Sequence, residues 1–326
     1  MEIILILVLL LVLGAEFING WTDAPNAVAT VVSTGVLPPR VAIFIAIVLN
    51  IAGAMAGTAV AATVGKGIVN PSSVTVLSIG AAMVSIIIWG GIAARFGIPI
   101  SKSHSLLAGL AGAGLAGGGF DALILSGWKL VFLGIFFSVI LGFGLAFLLG
   151  KAVVIFAGRA SPGRATRTFN ILQLCSSVVM AFSHGMNDGQ KFIGVFALVL
   201  MLGGVFPTFQ IPWWVIVLCA LTMGLGTSLG GWRIIRTIGM KMVRIASWQG
   251  FAAEAAASGT IIAASVFGIP LSTTHTITTA ISGAASSRRI RDVRWEVFMR
   301  IVVAWVITFP FCGLIAFFAA SLTKLW

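Results

Sequence analysis

Apolar stretches follow one another along almost the whole chain, and no long polar segment separates them. They run roughly over 3–19, 27–36, 41–64, 74–94, 103–120, 125–150, 171–186, 192–206, 211–232, 248–267, 275–287 and 301–323. A full bilayer crossing takes about 20 apolar residues, so some stretches are long enough and others are not. Of 326 residues, 59% are hydrophobic and only 9% are charged, where a soluble domain carries about 25%. A soluble chain of this size could not cover its surface with so few charges. The sequence therefore excludes a soluble enzyme, a disordered chain and a disulfide scaffold. It predicts an all-α polytopic membrane protein with about 10–12 membrane segments.

The net charge is +12, from 20 Lys and Arg against 8 Asp and Glu. In a soluble chain that would suggest nucleic acid. Here the bases cluster between apolar stretches, at 151–167, 233–244 and 288–300. That is the positive-inside pattern, which predicts a multi-pass cell-membrane protein with cytoplasmic basic loops and no nucleic-acid partner. Cys175, Cys219 and Cys312 have no metal-type spacing and read as small buried side chains. Met1–Ala15 lacks a positive n-region and reads as an uncleaved first membrane helix.

The chain carries an internal duplication. Phe96-Gly-Ile-Pro-Ile-Ser-Lys-Ser-His-Ser105 matches Phe267-Gly-Ile-Pro-Leu-Ser-Thr-Thr-His-Thr276, identical at six of ten positions. Ala81-Ala82 matches Ala252-Ala253, Gly57-Thr58 matches Gly226-Thr227, and Gly20-Trp-Thr-Asp23 matches Gly185-Met-Asn-Asp188, all in the same order. The halves are residues 1–150 and 171–326, joined by a basic cytoplasmic linker at 151–170 that holds Lys151, Arg159, Arg164 and Arg167. With the basic clusters inside and the uncharged loop 206–212 outside, 171–205 crosses once, and so does 3–36. Each half then makes about five net crossings. An odd number inverts the second half relative to the first and leaves both termini outside. Inverted-topology repeats with interrupted or re-entrant helices belong to secondary transporters, whose site lies near the midplane at the repeat interface.

Four acids fall inside or at the breaks of apolar stretches: Glu16, Asp23, Asp188 and Glu254. An ionised carboxylate at that depth costs about 3 kcal/mol and persists if paired, protonated or bound to a cation. Asp23 and Asp188 stand at equivalent points of the repeat. Lys191 lies close enough to pair with Asp188, and Glu254 has Met83 as its counterpart. The second constellation is the doubled Gly-Ile-Pro-x-Ser-x-Ser/Thr-His. Proline ends the preceding helix, and Ser101 and Ser272 are natural N-caps for the next. Free N–H groups there, with the hydroxyls of Ser103, Thr273 and Thr274, suit a tetrahedral oxyanion. His104 and His275, one turn further on, read either as proton sensors or as packing residues. Lys102, opposite Thr273, reads either as facing the anion or as snorkelling to the cytoplasmic surface near Arg95, and the surface is the favoured reading. Asn19–Asn26 and His184–Gln190 are read as unwound points whose carbonyls, with Asp and Asn side chains, could coordinate Na+. A cation beside an anion couples the two, which is symport.

These motifs resemble the inorganic phosphate transporter (PiT) family. Gly20-Trp-Thr-Asp23-Ala-Pro-Asn26-Ala27 is similar to its first signature. Ser183-His-Gly-Met-Asn-Asp188-Gly-Gln-Lys191 is similar to its second. The doubled Gly-Ile-Pro segments and Ala-Ala-Glu254 match as well, whereas Thr22 and Pro25 depart from the family's usual residues. The resemblance covers nearly the whole chain. It implies a homodimeric carrier of inverted repeats that brings phosphate in with Na+ or H+, with elevator-like alternating access and no other cofactor. Carried over by position, the phosphate candidates are Ser101, Ser103, Ser272, Thr273, Thr274, Asn26, Asn187 and Gln190. The cation-coupling candidates are Asp23, Asp188, Glu254, Asn26, Asn187 and Glu16, with Na+ at Asp23, Asn26, Asn187 and Asp188. Sulfate or another tetrahedral oxyanion is the close alternative, and an anion channel is the alternative of another class. No nucleophile–base pair recurs at a workable spacing, so an enzyme is not expected.

Overall fold

The computed structural model describes residues 2–157 and 161–323; Arg159 of the basic linker lies outside the described residues. Twelve α-helices make up the described chain: α1 (Glu2–Ser33), α2 (Pro39–Ala54), α3 (Ala59–Gly67), α4 (Val76–Phe96), α5 (Lys102–Gly118), α6 (Leu125–Ala157), α7 (Pro162–Leu202), α8 (Trp213–Ser228), α9 (Trp232–Arg236), α10 (Ser247–Val266), α11 (Thr273–Ser286) and α12 (Trp295–Leu322). Helices are the expected solution for an open chain in lipid, because they satisfy every backbone group internally. By length and composition α1, α4, α6 and α12 can each cross a bilayer alone. Two bent pairs raise the number to six: α2 with α3, bent by 67°, and Trp213–Ser228 with Trp232–Lys241, bent by 63°.

Polarity is turned inside out relative to a soluble protein. The outer faces of α1, α6 and α12 expose Ile6, Leu10, Phe132, Phe136, Val306 and Phe318. A continuous apolar surface of this kind marks lipid contact. The polar residues of α7, α10 and α11 are instead largely buried.

The halves pack by exchanging partners. α1 lies on α8 and α7 on α2, while α5 lies on α12 and α11 on α6. The close crossings repeat as well. A Cβ on Gly226 would sit 2.1 Å from Phe17 O, and one on Gly53 would sit 2.1 Å from Phe182 O. Such an exchange is what a two-fold relation between the halves would produce. It also corrects the sequence pairing of Gly57 with Gly226: the packing equates Gly53 with Gly226, about one helical turn away. Glycine recurs too often in this chain for its spacing alone to fix the register.

Two further expectations are corrected. The stretches 3–19 and 27–36 are one helix, α1, and 171–186 with 192–206 belong to one helix, α7. Asn19–Asn26 and His184–Gln190 are therefore wound, and their carbonyls are not freed as a set. Bonds within the helix and to its neighbours hold Asn19, Thr22, Asp23, Asn26 and Asn187 without the helix opening. The exception is local: Pro25 has no N–H to give Trp21 O. The breaks fall instead at 55–58 and 229–231, and between α4 and α5 and between α10 and α11. Linker bases Arg164 and Arg167 lie on the first turns of α7, which are mostly exposed. Cys219 and Cys312 are buried as read, but Cys175 is exposed on α7.

Candidate substrate and cation site

The site is built where the two Gly-Ile-Pro turns meet. Gly97 and Gly268 both take φ +67°, the left-handed conformation that ends α4 and turns the chain after α10. Each proline then holds the chain extended until a serine starts the next helix. Ser101 Oγ accepts the His104 N–H at 3.2 Å, and Ser272 Oγ accepts the His275 N–H at 3.2 Å, as the sequence predicts. The two capping hydroxyls are also 2.8 Å from each other. The starts of α5 and α11 thus touch.

Each start reaches into the other half. Ser103 Oγ donates to Leu271 O at 2.9 Å, and its counterpart Thr274 Oγ1 donates to Ile100 O at 3.3 Å. Around them stand the paired acids, in matching arrangements. In the first half Asn26 Nδ2 donates to Asp23 Oδ2 at 3.2 Å and to Thr274 Oγ1 at 2.9 Å. In the second half Lys191 Nζ donates to Asp188 Oδ1, to Ser103 Oγ at 2.5 Å and to Leu271 O at 2.8 Å. Lys191 is the positional equivalent of Asn26. Thr273 ties the sets together: its hydroxyl donates to Asp188 Oδ2 at 2.8 Å and accepts from Asn26 Nδ2 at 3.4 Å. His184 Nε2 lies 3.1 Å from Asp188 Oδ2. One ligand atom each from Asp23, His184 and Asp188 lies within 4.8 Å of the others, close enough to share a cation.

All of these residues are buried, so no water screens the charges. The cluster combines hydroxyl donors at two helix starts, one ammonium, and two carboxylates. Those hydroxyls and the ammonium can hold an oxyanion, and the carboxylates can hold a cation beside it.

Ser101, Ser103, Ser272, Thr273, Thr274, Asn26, Asp23 and Asp188 come together here. The other candidates do not join them. Asn187 donates to Ser265 Oγ at 2.9 Å and to Ile269 O at 3.2 Å, and Gln190 Oε1 accepts the Val60 N–H at 3.0 Å. Both sit on α7: Asn187 reaches α10 and the second Gly-Ile-Pro turn and Gln190 reaches α3, so neither bonds to the hydroxyls of the helix starts. Glu16 is bonded to Asn19 Nδ2 at 3.0 Å. Glu254 forms a separate cluster, accepting from Thr30 at 2.5 Å and from Ser176.

Four residues remain to be placed. Lys102 does not reach the surface; it is 2% exposed. The start of α5 lies inside the bundle, and Gly90 on α4 leaves room for the ammonium. His104 and His275 face each other edge-on at 4.3 Å, with His275 stacked on Trp305 at 3.7 Å and His104 against Phe309. They line an apolar cavity of about 600 Å³ and are packing residues. His184 joins the acids as a further member of the site. Its spacing of four from Asp188 on a helix was the available signal.

A family model described as the phosphate transporter family matches residues 19–316. A probable low-affinity inorganic phosphate transporter of Rhizobium meliloti is 44% identical over 312 residues, covering 94% of this chain and 93% of the relative. One of the same description from Bacillus subtilis is 38% identical, covering 99% of both chains. A solved structure titled the sodium-dependent phosphate transporter superposes with a TM-score of 0.91 at 23% identity, covering 99% of each chain, and so shares the fold.

Proposed function

The chain belongs to the phosphate transporter family, and from that membership we propose that it imports inorganic phosphate together with a cation, Na+ or H+. One observation carries the reading. A single buried network runs from Asp23 through Asn26 and Thr273 to Asp188, Lys191 and Ser103, at the point where the two capped helix starts meet.

The network suits a symporter for electrostatic reasons. Phosphate arriving alone would meet two carboxylates and be repelled. Lys191 already touches the Ser103 hydroxyl and the Leu271 carbonyl, at the helix start where the anion would sit. As the ammonium turns to phosphate, Asp188 loses its counter-charge and gains affinity for a cation. Each ion then raises the affinity for the other, as linkage requires. The hydroxyls of Ser101, Ser103, Ser272, Thr273 and Thr274 supply hydrogen bonds that strengthen binding without a full charge, so the anion can leave again. Glu254 and Glu16, set apart, act on the cation side of the cycle.

The exchange of helix partners supports residues 1–150 and 171–326 as two related halves, inverted if the basic loops are cytoplasmic and both termini outside, as the positive-inside pattern has them. Alternating access is elevator-like, in a homodimer. The test is uptake of labelled phosphate into proteoliposomes, with an inward Na+ gradient and a proton gradient imposed separately. Saturable uptake under one gradient is expected. No uptake under either by folded protein overturns the reading. Sulfate that outcompetes phosphate reassigns the anion, and unsaturating currents would point to a channel.

A further inference from the structure

Among the charge differences between the two halves, one is matched by a difference in the packing around it. Where α11 begins with Thr273, α5 begins with Lys102. Thr273 gives its hydroxyl to Asp188 Oδ2. The equivalent acid in the first half, Asp23, receives hydrogen bonds from Thr22, Asn26 and Thr274 but from no basic group among the described residues. Lys102 Nζ is buried and has no hydrogen-bond partner. It lies against α4 and α1: a Cβ on Gly90 would meet Lys102 Nζ at 2.8 Å and Ile18 Cγ2 at 2.4 Å. The counterpart of Gly90 in the second half is Ile261, fully buried. One half thus pairs a large residue with a small hydroxyl, and the other pairs glycine with a long ammonium.

A buried ammonium without a counter-charge is strongly unfavourable. Asp23 is on the stretch of α1 that Lys102 lies against, five residues on from Ile18. The other ammonium, Lys191, is bonded at the helix starts, whereas Lys102 Nζ sits by Gly90 and near Ile18, one α1 turn before Thr22 and Asp23. We propose that Lys102 is a tethered cation that answers the charge of Asp23 in place of a co-transported ion. The carrier then moves one cation fewer per phosphate than it would with a hydroxyl residue at position 102. This rests on the symport reading above and sharpens its stoichiometry.

The test is the charge moved per phosphate, taken from the reversal potential of uptake in proteoliposomes. It compares the wild type with Lys102→Met, Lys102→Thr and Lys102→Arg. Methionine fills the space beside Gly90 without charge, threonine copies the second half, and arginine keeps the charge. The ratio is expected to rise by about one positive charge in the first two and to stay at the wild-type value in Lys102→Arg. Adding Asp23→Asn to Lys102→Met should abolish the gain. An unchanged ratio in folded Lys102→Met and Lys102→Thr overturns the inference. So does a raised phosphate half-saturation at constant ratio, which would place Lys102 on the anion. A variant that folds but does not transport is read by labelled Na+ bound at equilibrium, where one additional ion per protomer is expected and none overturns the proposal. A wild type indifferent to both gradients defeats the symport reading alone. The gain of a cation requirement by Lys102→Met still decides this one.

Discussion

Asp188→Asn separates the structural role of the acid from its transport role. In the wild type Lys191, 1% exposed, shares its ammonium among Asp188, Ser103 and Leu271 O. The amide keeps the shape of the carboxylate but removes its charge, and Lys191 becomes a buried cation with neutral acceptors only. Breaking a buried ion pair from one side costs about 3–5 kcal/mol. Two neutral acceptors remain, and hydrogen bonds to charged groups contribute about 1.5–3 kcal/mol each, so the loss should fall near the lower limit, about 3 kcal/mol. Lys191→Met should cost a similar amount, because it strands the carboxylate with Thr273 and His184. The double variant Asp188→Asn/Lys191→Met removes both charges and should recover most of the loss, a coupling of about 2 kcal/mol or more. Equilibrium unfolding in detergent, on the two single variants and the double, measures this. The double variant should fold and still show no cation-coupled uptake. Single variants each within about 0.5 kcal/mol of wild type, or losses that simply add, would refute the argued pairing.

Three other outcomes follow from the geometry. Ser272→Ala removes the cap on the His275 N–H and the contact with Ser101 Oγ, so it should lower stability by about 1 kcal/mol and raise the half-saturation for phosphate. Kinetics of labelled phosphate uptake measure the second effect. Gly226→Ala forces α8 off α1, since its Cβ would lie 2.1 Å from Phe17 O, and should cost about 1–3 kcal/mol in unfolding, whereas Gly259→Ala, with open space around it, should be neutral or stabilising. Thr30→Val takes a hydrogen-bond donor from Glu254 and should weaken the cation dependence of uptake while leaving the phosphate half-saturation unchanged, which a cation titration at saturating phosphate reads.

The membrane class and the capped helix starts were legible because they rest on local rules. Scarce charge forbids a soluble surface. Proline followed by serine ends one helix and starts another, and both copies of the motif do so. Asp23 and Asp188 were legible because the duplication repeats them. What escaped the sequence depends on which face a helix turns toward the middle. Asn187 is adjacent to Asp188 yet points to Ser265, because consecutive residues on a helix diverge by about 100°. The motif Asn19–Asn26 looks like a break because it is rich in Gly, Asn and Pro, but Asn19 and Thr22 bond within α1, Asp23 and Asn26 reach Thr273 and Thr274, and α1 runs through. Lys102 looked like a surface residue because lysine usually is. Its burial depends on Gly90, a residue on another helix.

The central claim is that phosphate and a cation move together through one site. The most direct measurement imposes a phosphate gradient alone, with Na+ concentration and pH equal on both sides of the proteoliposome. Labelled Na+ and an internal pH dye are followed during phosphate entry. The account predicts that phosphate running down its gradient drags Na+ or protons inward against none of their own, and that Asp188→Asn/Lys191→Met abolishes this movement. Phosphate that enters while both cations stay at equilibrium would contradict it.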